Sequence, residues 1–531
     1  KLSFHLLGLL SEAEIPEILP LALRETLGFP GRWEAYRNIH FPRDQAACDA
    51  AIRRMKFEEF FLAQMRMGMI RTGRHRSSRG VVFEKVGDLF NAFYAAHIPF
   101  ELTGAQKRVL REIRQDTASG RQMNRLLQGD VGSGKTMVAL MSMLLSADNG
   151  FQSCLMAPTE ILARQHYENI SSLLQALPIR TAILTGSTKA RERKEILSGA
   201  ADGTLSILIG THALIEEAVQ FDRLGLVIVD EQHRFGVAQR ARLWEKGSIT
   251  PHVLVMTATP IPRTLAMTAY GDLDTSIIDE LPPGRQPIVT VHRLEDSRPQ
   301  VMDFIRQEIK AGRQAYIIFP LIEESDKVAY ENLMKGYENV KAWFPEPQYW
   351  ISMVHGRMKA GQKDANMQRF VRGETQIMVS TTVIEVGVNV PNATVMVIES
   401  AEKFGLSQLH QLRGRVGRGS EKSYCILLTG NKVSREAKER LGILTQTNDG
   451  FRIAEKDLEL RGPGDIEGTR QSGALNFRLA NIVTDRHLLE AAREASEQLL
   501  DEDPDLKMPA NQALKRHLQG GRGKNPWSKI S

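Results

Sequence analysis

Cysteine is scarce in this chain. Its three copies, Cys48, Cys154 and Cys425, lie far apart, and none stands in a Cys-x-x-Cys pair. That argues against a zinc site or a disulfide framework and favours a reducing compartment such as the cytoplasm. Long apolar runs are missing as well: no stretch reaches the roughly 18 consecutive apolar residues from which a membrane-spanning helix is read. No initiator Met precedes Lys1 and no signal peptide follows it, which predicts that an N-terminal piece is missing. Only one phosphate-binding loop occurs, although the strand–helix rhythm described below runs through the chain twice.

What is present belongs to an ordinary soluble globular protein, with 42% hydrophobic and 25% charged residues. At 531 residues the chain is too long for one core and predicts three or four domains. A net charge of +6 and a pI of about 9.1 suit a polyanionic partner such as nucleic acid, although a generally basic surface would read the same way.

The most informative stretch is Gly129-Asp130-Val131-Gly132-Ser133-Gly134-Lys135-Thr136, which fits the pattern Gly-x-x-x-x-Gly-Lys-Thr. Glycines let successive backbone N–H groups curl around phosphates, the lysine reaches the β- and γ-phosphates, and the threonine hydroxyl can hold Mg²⁺. Asn124–Leu127 reads as a short buried strand before the loop. Met137–Met141 starts a helix whose N-terminus would face the phosphates. By itself the loop specifies a nucleoside triphosphate and leaves open what its energy does.

Residues 1–43 read as helices and turns. Asp44 is placed to cap a long helix to about Arg71, with apolar residues such as Met55, Phe60, Met65 and Met69 at helical steps. Arg71–Arg79 then reads as a basic, flexible loop. From Phe100 short strands and helices alternate, the mark of a parallel α/β sheet. Strands are predicted at 153–157, 181–184, 205–210, 224–230 and 253–257. A second set follows at 314–320, 351–355, 376–380, 395–399 and 424–428. The Pro-rich join Leu281–Pro287 reads as a linker between two tandem α/β domains. Beyond residue 430 the pattern turns helical: one helix from a Ser434 cap to Gln446, a second over Phe451–Leu460, then a glycine-rich loop. The tail is basic, and Gly520–Lys524 is expected to be disordered.

A second nucleotide element is Leu226–His233. A buried strand ends on adjacent carboxylates at the edge where the phosphate loop also opens. Asp230 is placed to hold Mg²⁺, directly or through water, and Glu231 to polarise the attacking water. Gln232 and His233 are placed to report the nucleotide state to the neighbouring domain.

Asp230-Glu231-Gln232-His233, following the phosphate loop and preceding Met256-Thr257-Ala258-Thr259-Pro260, resembles a superfamily 2 helicase or translocase. The resemblance implies two tandem RecA-like domains and coupling of hydrolysis to domain movement through the Thr-Ala-Thr segment. Gln106, in Phe100–Gln106, sits where that family carries an adenine-reading glutamine, which makes ATP the implied nucleotide. Ala157-Pro158-Thr159-Glu160 and Ile209-Gly210-Thr211-His212 resemble segments that contact a nucleic-acid backbone. Ser380–Gly387 and Gln411–Arg418 resemble the last two helicase motifs. Hydrolysis places charge on the γ-phosphate oxygens, and a guanidinium supplied across a cleft can be worth roughly 10³–10⁵ in rate. Arg418 is therefore read as the finger and Arg415 as its partner.

Asp230–Val237, Asp274–Arg285, Phe404–Gln411 and Lys456–Gly473 narrow the resemblance to the bacterial RecG branch, which it covers from Arg37–Pro42 onward. Arg461, Arg470 and Gln471 lie in the string similar to a translocation motif, a hairpin and loop that converts domain motion into movement along duplex DNA. The implied layout is a helical segment at 1–97, an ATP-binding domain at 98–285, a second RecA-like domain at 286–430, and a hairpin with a basic tail at 431–531. Two departures stand out. Asn389 replaces the usual acidic residue in Gly387-Val388-Asn389-Val390, keeping an acceptor for a ribose hydroxyl but losing the charge. The family's N-terminal wedge domain has no counterpart in these residues, so fork recognition is implied by the family alone and a missing N-terminal segment is expected to carry it. The implied activity is an ATP- and Mg²⁺-dependent translocase that remodels forks and Holliday junctions. A cytoplasmic, nucleoid-associated monomer is expected, with single-stranded DNA-binding protein as a partner. The competing readings are a coupling factor acting on stalled RNA polymerase, disfavoured because no extra modules lie upstream of the ATPase, and a nucleotide-switched clamp, disfavoured by intact Lys135, Glu231 and Arg418.

Overall fold

A computed structural model describes residues 7, 9–77, 80–231, 250–257, 260–262, 265, 273–320, 326–381, 390–419, 421–461 and 477–520. Packing divides the chain into two compact units. One gathers Gly80–Ile261 and Thr275–Leu460 and holds both sheets; the other gathers Lys1–Arg79, Pro262–Asp274 and Arg461–Ser531 and is chiefly helical among its described residues.

The sheet-bearing unit opens with helix α1 (Gly104–Ala118), strand β1 (Asn124–Gly129) and helix α2 (Lys135–Asp148). Then come β2 (Gln152–Met156), helix α3 (Glu160–Leu173), β3 (Thr181–Leu184), β4 (Ile207–Gly210), β5 (Leu224–Asp230), β6 (His252–Thr257) and β7 (Asp274–Ile278). They form one sheet in the order β3-β4-β2-β5-β6-β1-β7, parallel from β3 across to β1. Helices cover both faces of such a sheet, so its central strands need apolar residues at every position rather than alternation. Leu224 to Val229 meets that demand, and all six residues are buried. Parallel pairing also brings the C-terminal ends of β1 and β5 to the same edge, with only β6 between them. That edge receives both nucleotide elements.

The second lobe contains β8 (Val289–Leu294), β9 (Gln314–Phe319), β10 (Ile351–Val354), β11 (Ile377–Thr381), β12 (Ala393–Ile398), helix α4 (Leu406–Arg413) and β13 (Tyr424–Thr429). Its strands run parallel in the order β10-β11-β9-β12-β13-β8. Helices α5 (Arg435–Gln446) and α6 (Gly450–Arg461) follow. Ser434 Oγ accepts from Ala437 N–H at 3.2 Å and so starts α5 where the sequence places its cap.

Two strands escaped the sequence reading, β7 and β8. Both lie at sheet edges, and β8 has no fully buried residue, so neither needs the apolar run that marks a central strand. A second difference lies in the helical unit. The long helix expected to end near Arg71 runs over Gln45–Ser77, so most of the predicted basic loop is helical. Arginine is a good helix former and Gly73 alone does not terminate the run. Asp44 Oδ1 caps this helix, accepting from Ala47 N–H at 2.7 Å. Arg71 pairs with Asp274 and Glu497 at 3.8 and 3.5 Å. The same helix lies along Arg486–Glu502, where Gly68 leaves room for Leu500: a Cβ there would sit 2.4 Å from Leu500 Cδ1.

Candidate active site

β1 delivers the chain to Gly129, and the loop turns through Gly132 (φ +77°) and Gly134 (φ +86°), both left-handed. Side chains there would also collide. A Cβ on Gly134 would lie 2.2 Å from Gln106 Nε2, and one on Gly132 the same distance from Arg285 Nη1. Lys135 opens α2 with its ammonium buried, donating to the Gly129 and Asp130 carbonyls at 2.8 Å each. Burial pushes its pKa down, opposed by the carboxylates of Glu231, Asp230 and Asp130. Thr136 follows on the first helical turn, half-buried.

Gln106 is tied into this loop from outside it. Its backbone N–H donates to Thr103 Oγ1 at 3.2 Å, while Thr103 N–H donates to Gln106 Oε1 at 2.9 Å, a capping box that starts α1. Gln106 Nε2 donates to the Ser133 carbonyl at 2.9 Å. A carboxamide has two N–H donors and two acceptor lone pairs, so these bonds leave capacity for a base edge.

At the end of β5, Asp230 Oδ2 meets His166 Nε2 at 2.8 Å. His166 stands on α3, seven residues after Thr159, on the same face of the helix. Burial opposes ionisation of Asp230, but the His166 hydrogen bond and the Lys135 ammonium outweigh it, and its pKa is lowered. Glu231 follows in the left-handed region at φ +55°, a costly conformation for a side-chain-bearing residue.

The second lobe closes against this edge. A Cβ on Gly414 would lie 2.8 Å from Val131 Cβ, so the loop carrying the arginines packs on the phosphate loop. Arg418 Nε donates to the Gly414 carbonyl at 3.3 Å. Burial and the neighbouring Arg415 push its pKa down to about 9, which still leaves the guanidinium charged at neutral pH. His410 Nε2 lies 2.7 Å from Asp130 Oδ1, and Gly450 N–H, at the start of α6, donates to Asp130 Oδ2 at 3.2 Å. Burial raises the Asp130 pKa, but the His410 bond, the Val131 N–H and Lys135 hold it below the usual carboxylate range. Arg413, fully buried, donates to the Leu444, Thr447 and Asn448 carbonyls at 2.9, 2.8 and 3.3 Å, and to His410 Nδ1 at 2.9 Å.

The structure thus gathers Gln106, the loop residues Gly129 to Thr136, Asp230 and Glu231 on one edge, and Arg415 and Arg418 follow Gly414, which packs on the phosphate loop at Val131. This set fits a Mg²⁺-bound triphosphate: a glycine cradle, a buried lysine, a carboxylate and a hydroxyl as hard oxygen donors, and arginines opposite. Thr159 caps α3 through Leu162 N–H at 3.3 Å; Thr211 is buried, and His212 is exposed at the start of a short 3₁₀ turn. Gln232, His233, Asn389, Arg470 and Gln471 lie outside the described residues, as does the side chain of Arg461. Sequence reasoning passed over His166, Arg285, His410, Arg413 and Gly450. Spacing marked none of them, although Arg285, His410 and Arg413 stand within the strings that carry the family resemblance.

Three family descriptions match the chain. "DEAD/DEAH box helicase" matches residues 103–268, "Helicase conserved C-terminal domain" residues 299–420, and "ATP-dependent DNA helicase RecG, domain 3, C-terminal" residues 447–531. The chain is 51% identical over 495 residues to the ATP-dependent DNA helicase RecG of Synechocystis sp., covering 93% of this chain and 59% of that protein. It is 47% identical over 504 residues to the RecG of Bacillus subtilis, covering 95% of this chain and 73% of that protein. A solved structure of RecG bound to a three-way DNA junction matches with a TM-score of 0.71 and 41% identity, over 91% of this chain and 65% of that one.

Proposed function

This chain belongs to the family of RecG ATP-dependent DNA helicases, and from that premise we propose that it is an ATP-driven translocase on double-stranded DNA that remodels branched DNA in recombination and repair. The observation that carries the proposal is the hydrogen bond from Gly450 N–H to Asp130 Oδ2 at 3.2 Å. It ties the phosphate loop to the first residue of α6, and α6 leads directly into the segment that holds Arg470 and Gln471. A change in the phosphate loop therefore has a short path to the translocation string.

Within this reading Lys135 and the N-terminus of α2 bind the phosphates, and Gln106 lies beside them to select the base. Thr136 and Asp230 would hold Mg²⁺, whose charge neutralises the phosphate oxygens. Glu231 orients and polarises the attacking water, while Arg418 and Arg415 stabilise charge on the outer phosphate when the lobes close. Asn389 is assigned to the ribose. Thr159, Thr211 and His212 are assigned to the DNA backbone, and Arg461, Arg470 and Gln471 to transmission. The setting as a cytoplasmic, nucleoid-associated monomer with single-stranded DNA-binding protein as a partner follows from the family resemblance alone.

The test compares ATP hydrolysis with and without branched duplex DNA for the natural chain and for Glu231→Gln. Branched DNA should stimulate hydrolysis, and the substitution should lower it by about 10²-fold or more. An unstimulated enzyme, or an unaffected Glu231→Gln, would overturn the proposal.

A further inference from the structure

We propose that Arg285, in the linker between the two lobes, is a phosphate-binding residue of the ATP site, aimed at the terminal phosphate. The inference rests on the ATPase reading above and adds a group that reading does not contain. Arg285 Nε donates to the Gly417 carbonyl at 3.1 Å, and its Nη1 donates to the Val131 carbonyl. One guanidinium thus spans the phosphate loop of the first lobe and the arginine loop of the second.

The loop is shaped to admit it. The guanidinium lies over the Gly132 α-carbon, where a Cβ would come within 2.2 Å of Nη1 and 2.8 Å of Cζ. Gly132 is thus doubly constrained, by its positive φ and by this approach. The position along the loop selects the phosphate. Backbone N–H groups at the start of α2 suit the inner phosphates, whereas Val131 and Gly132 form the half of the loop remote from that helix. A cation there meets the outermost phosphate.

The chemistry of the side chain agrees. A guanidinium carries five N–H donors in a fork that matches phosphate oxygens, and backbone carbonyls bring no charge to balance it. Arg285 is buried, which lowers its pKa, and among its neighbours the Asp130 carboxylate opposes that effect. Its charge also lowers the pKa of Lys135 and of Arg418, so the guanidinium links the cationic groups of the two loops. A polyanion is the ligand that such a cluster recruits.

The experiment measures binding of a fluorescent non-hydrolysable ATP analogue and of fluorescent ADP, both with Mg²⁺, to the natural chain and to Arg285→Ala, Arg285→Lys and Lys135→Ala. Arg285→Ala should weaken the triphosphate analogue by roughly tenfold or more, the scale of a charge-assisted hydrogen bond, while ADP affinity changes by less than about twofold. Arg285→Lys keeps the charge without the fork and should fall between, which also covers the case in which Arg285→Ala does not fold. Equal losses for both nucleotides, or no loss for either, would overturn the assignment, because a linker arginine that only braces the two loops cannot distinguish them. Lys135→Ala should weaken both nucleotides. If it does not, the ATP-site reading fails and the assignment of Arg285 falls with it, whereas a Lys135→Ala loss without discrimination by Arg285→Ala overturns the assignment alone.

Discussion

His410 donates from Nε2 to Asp130 Oδ1 at 2.7 Å, joining the second lobe to the phosphate loop. The direction is set by the other side of the ring, where Arg413 Nη2 donates to Nδ1 and leaves the proton on Nε2. Arg413 in turn holds the carbonyls of the turn between α5 and α6. A continuous run of hydrogen bonds therefore links the phosphate loop to the base of the hairpin.

The first prediction is that Asp130→Ala and His410→Ala act through one interaction. A hydrogen bond to a charged group contributes about 1.5–3 kcal/mol, so each replacement should lower DNA-stimulated hydrolysis by roughly tenfold or more. Asp130→Ala also removes the acceptor of Gly450 N–H, so the double replacement should cost more than His410→Ala but little beyond Asp130→Ala alone. Rates for the four proteins of the cycle measure this, and strictly additive losses would show that the contact is incidental.

Gly450 gives a second, steric prediction. A Cβ there would lie 2.5 Å from His410 Nε2, 2.7 Å from Pro260 Cγ and 2.9 Å from Asp130 Oδ2. Gly450→Ala must therefore push α6 away from the phosphate loop and from Pro260. Strand movement, followed by displacement of a third strand from a triplex, should fall more steeply than ATP hydrolysis. Parallel falls in both would place the damage in the ATP site itself.

The lobes and the phosphate edge were legible because a parallel sheet covered on both faces leaves little freedom: its strands must be apolar runs, and its loops must open at one edge. Gly129 to Thr136 and Asp230-Glu231 could be placed on that edge from spacing alone. His166, Arg285 and His410 could not. Each acts through a contact whose partner lies far along the chain, and such pairings depend on how helices and lobes pack. Arg285 was also masked by its surroundings, since Leu281–Pro287 carries the composition of a linker. The long helix to Ser77 failed for a simpler reason, because an arginine-rich segment suits a helix and a loop equally well.

His252 supplies a pH prediction. It is fully buried at the start of β6, edge-on to Phe83, and Met123 N–H donates to its Nδ1 at 3.0 Å, which fixes the neutral ring. Burial pushes its pKa from 6.5 down to about 4. The unfolded chain therefore binds a proton between about pH 6.5 and pH 4 that the folded chain does not. Stability from this group is complete above pH 6.5 and is lost as pH falls through that window, by about 2 kcal/mol at pH 5. His252→Gln keeps an acceptor for Met123 and cannot titrate. Urea unfolding at pH 7 and pH 5 should show a smaller difference for His252→Gln than for the natural chain, and an unchanged difference would remove His252 as the cause.

His166 leads to the last prediction. It holds Asp230 at 2.8 Å from a helix that Thr159 caps, so that helix joins the segment assigned to the DNA backbone to the carboxylate assigned to Mg²⁺ at the end of β5. Groups that orient a metal's ligand typically contribute 10–100-fold to metal affinity or activity. His166→Ala should therefore raise the Mg²⁺ concentration for half-maximal hydrolysis by about that factor, and it should weaken the stimulation by DNA more than the basal rate. His166→Gln retains a donor within reach of Asp230 and should recover part of both. A His166→Ala protein with an unchanged Mg²⁺ requirement would mean that the pair serves packing alone, and that the coupling of DNA to hydrolysis runs through the second lobe.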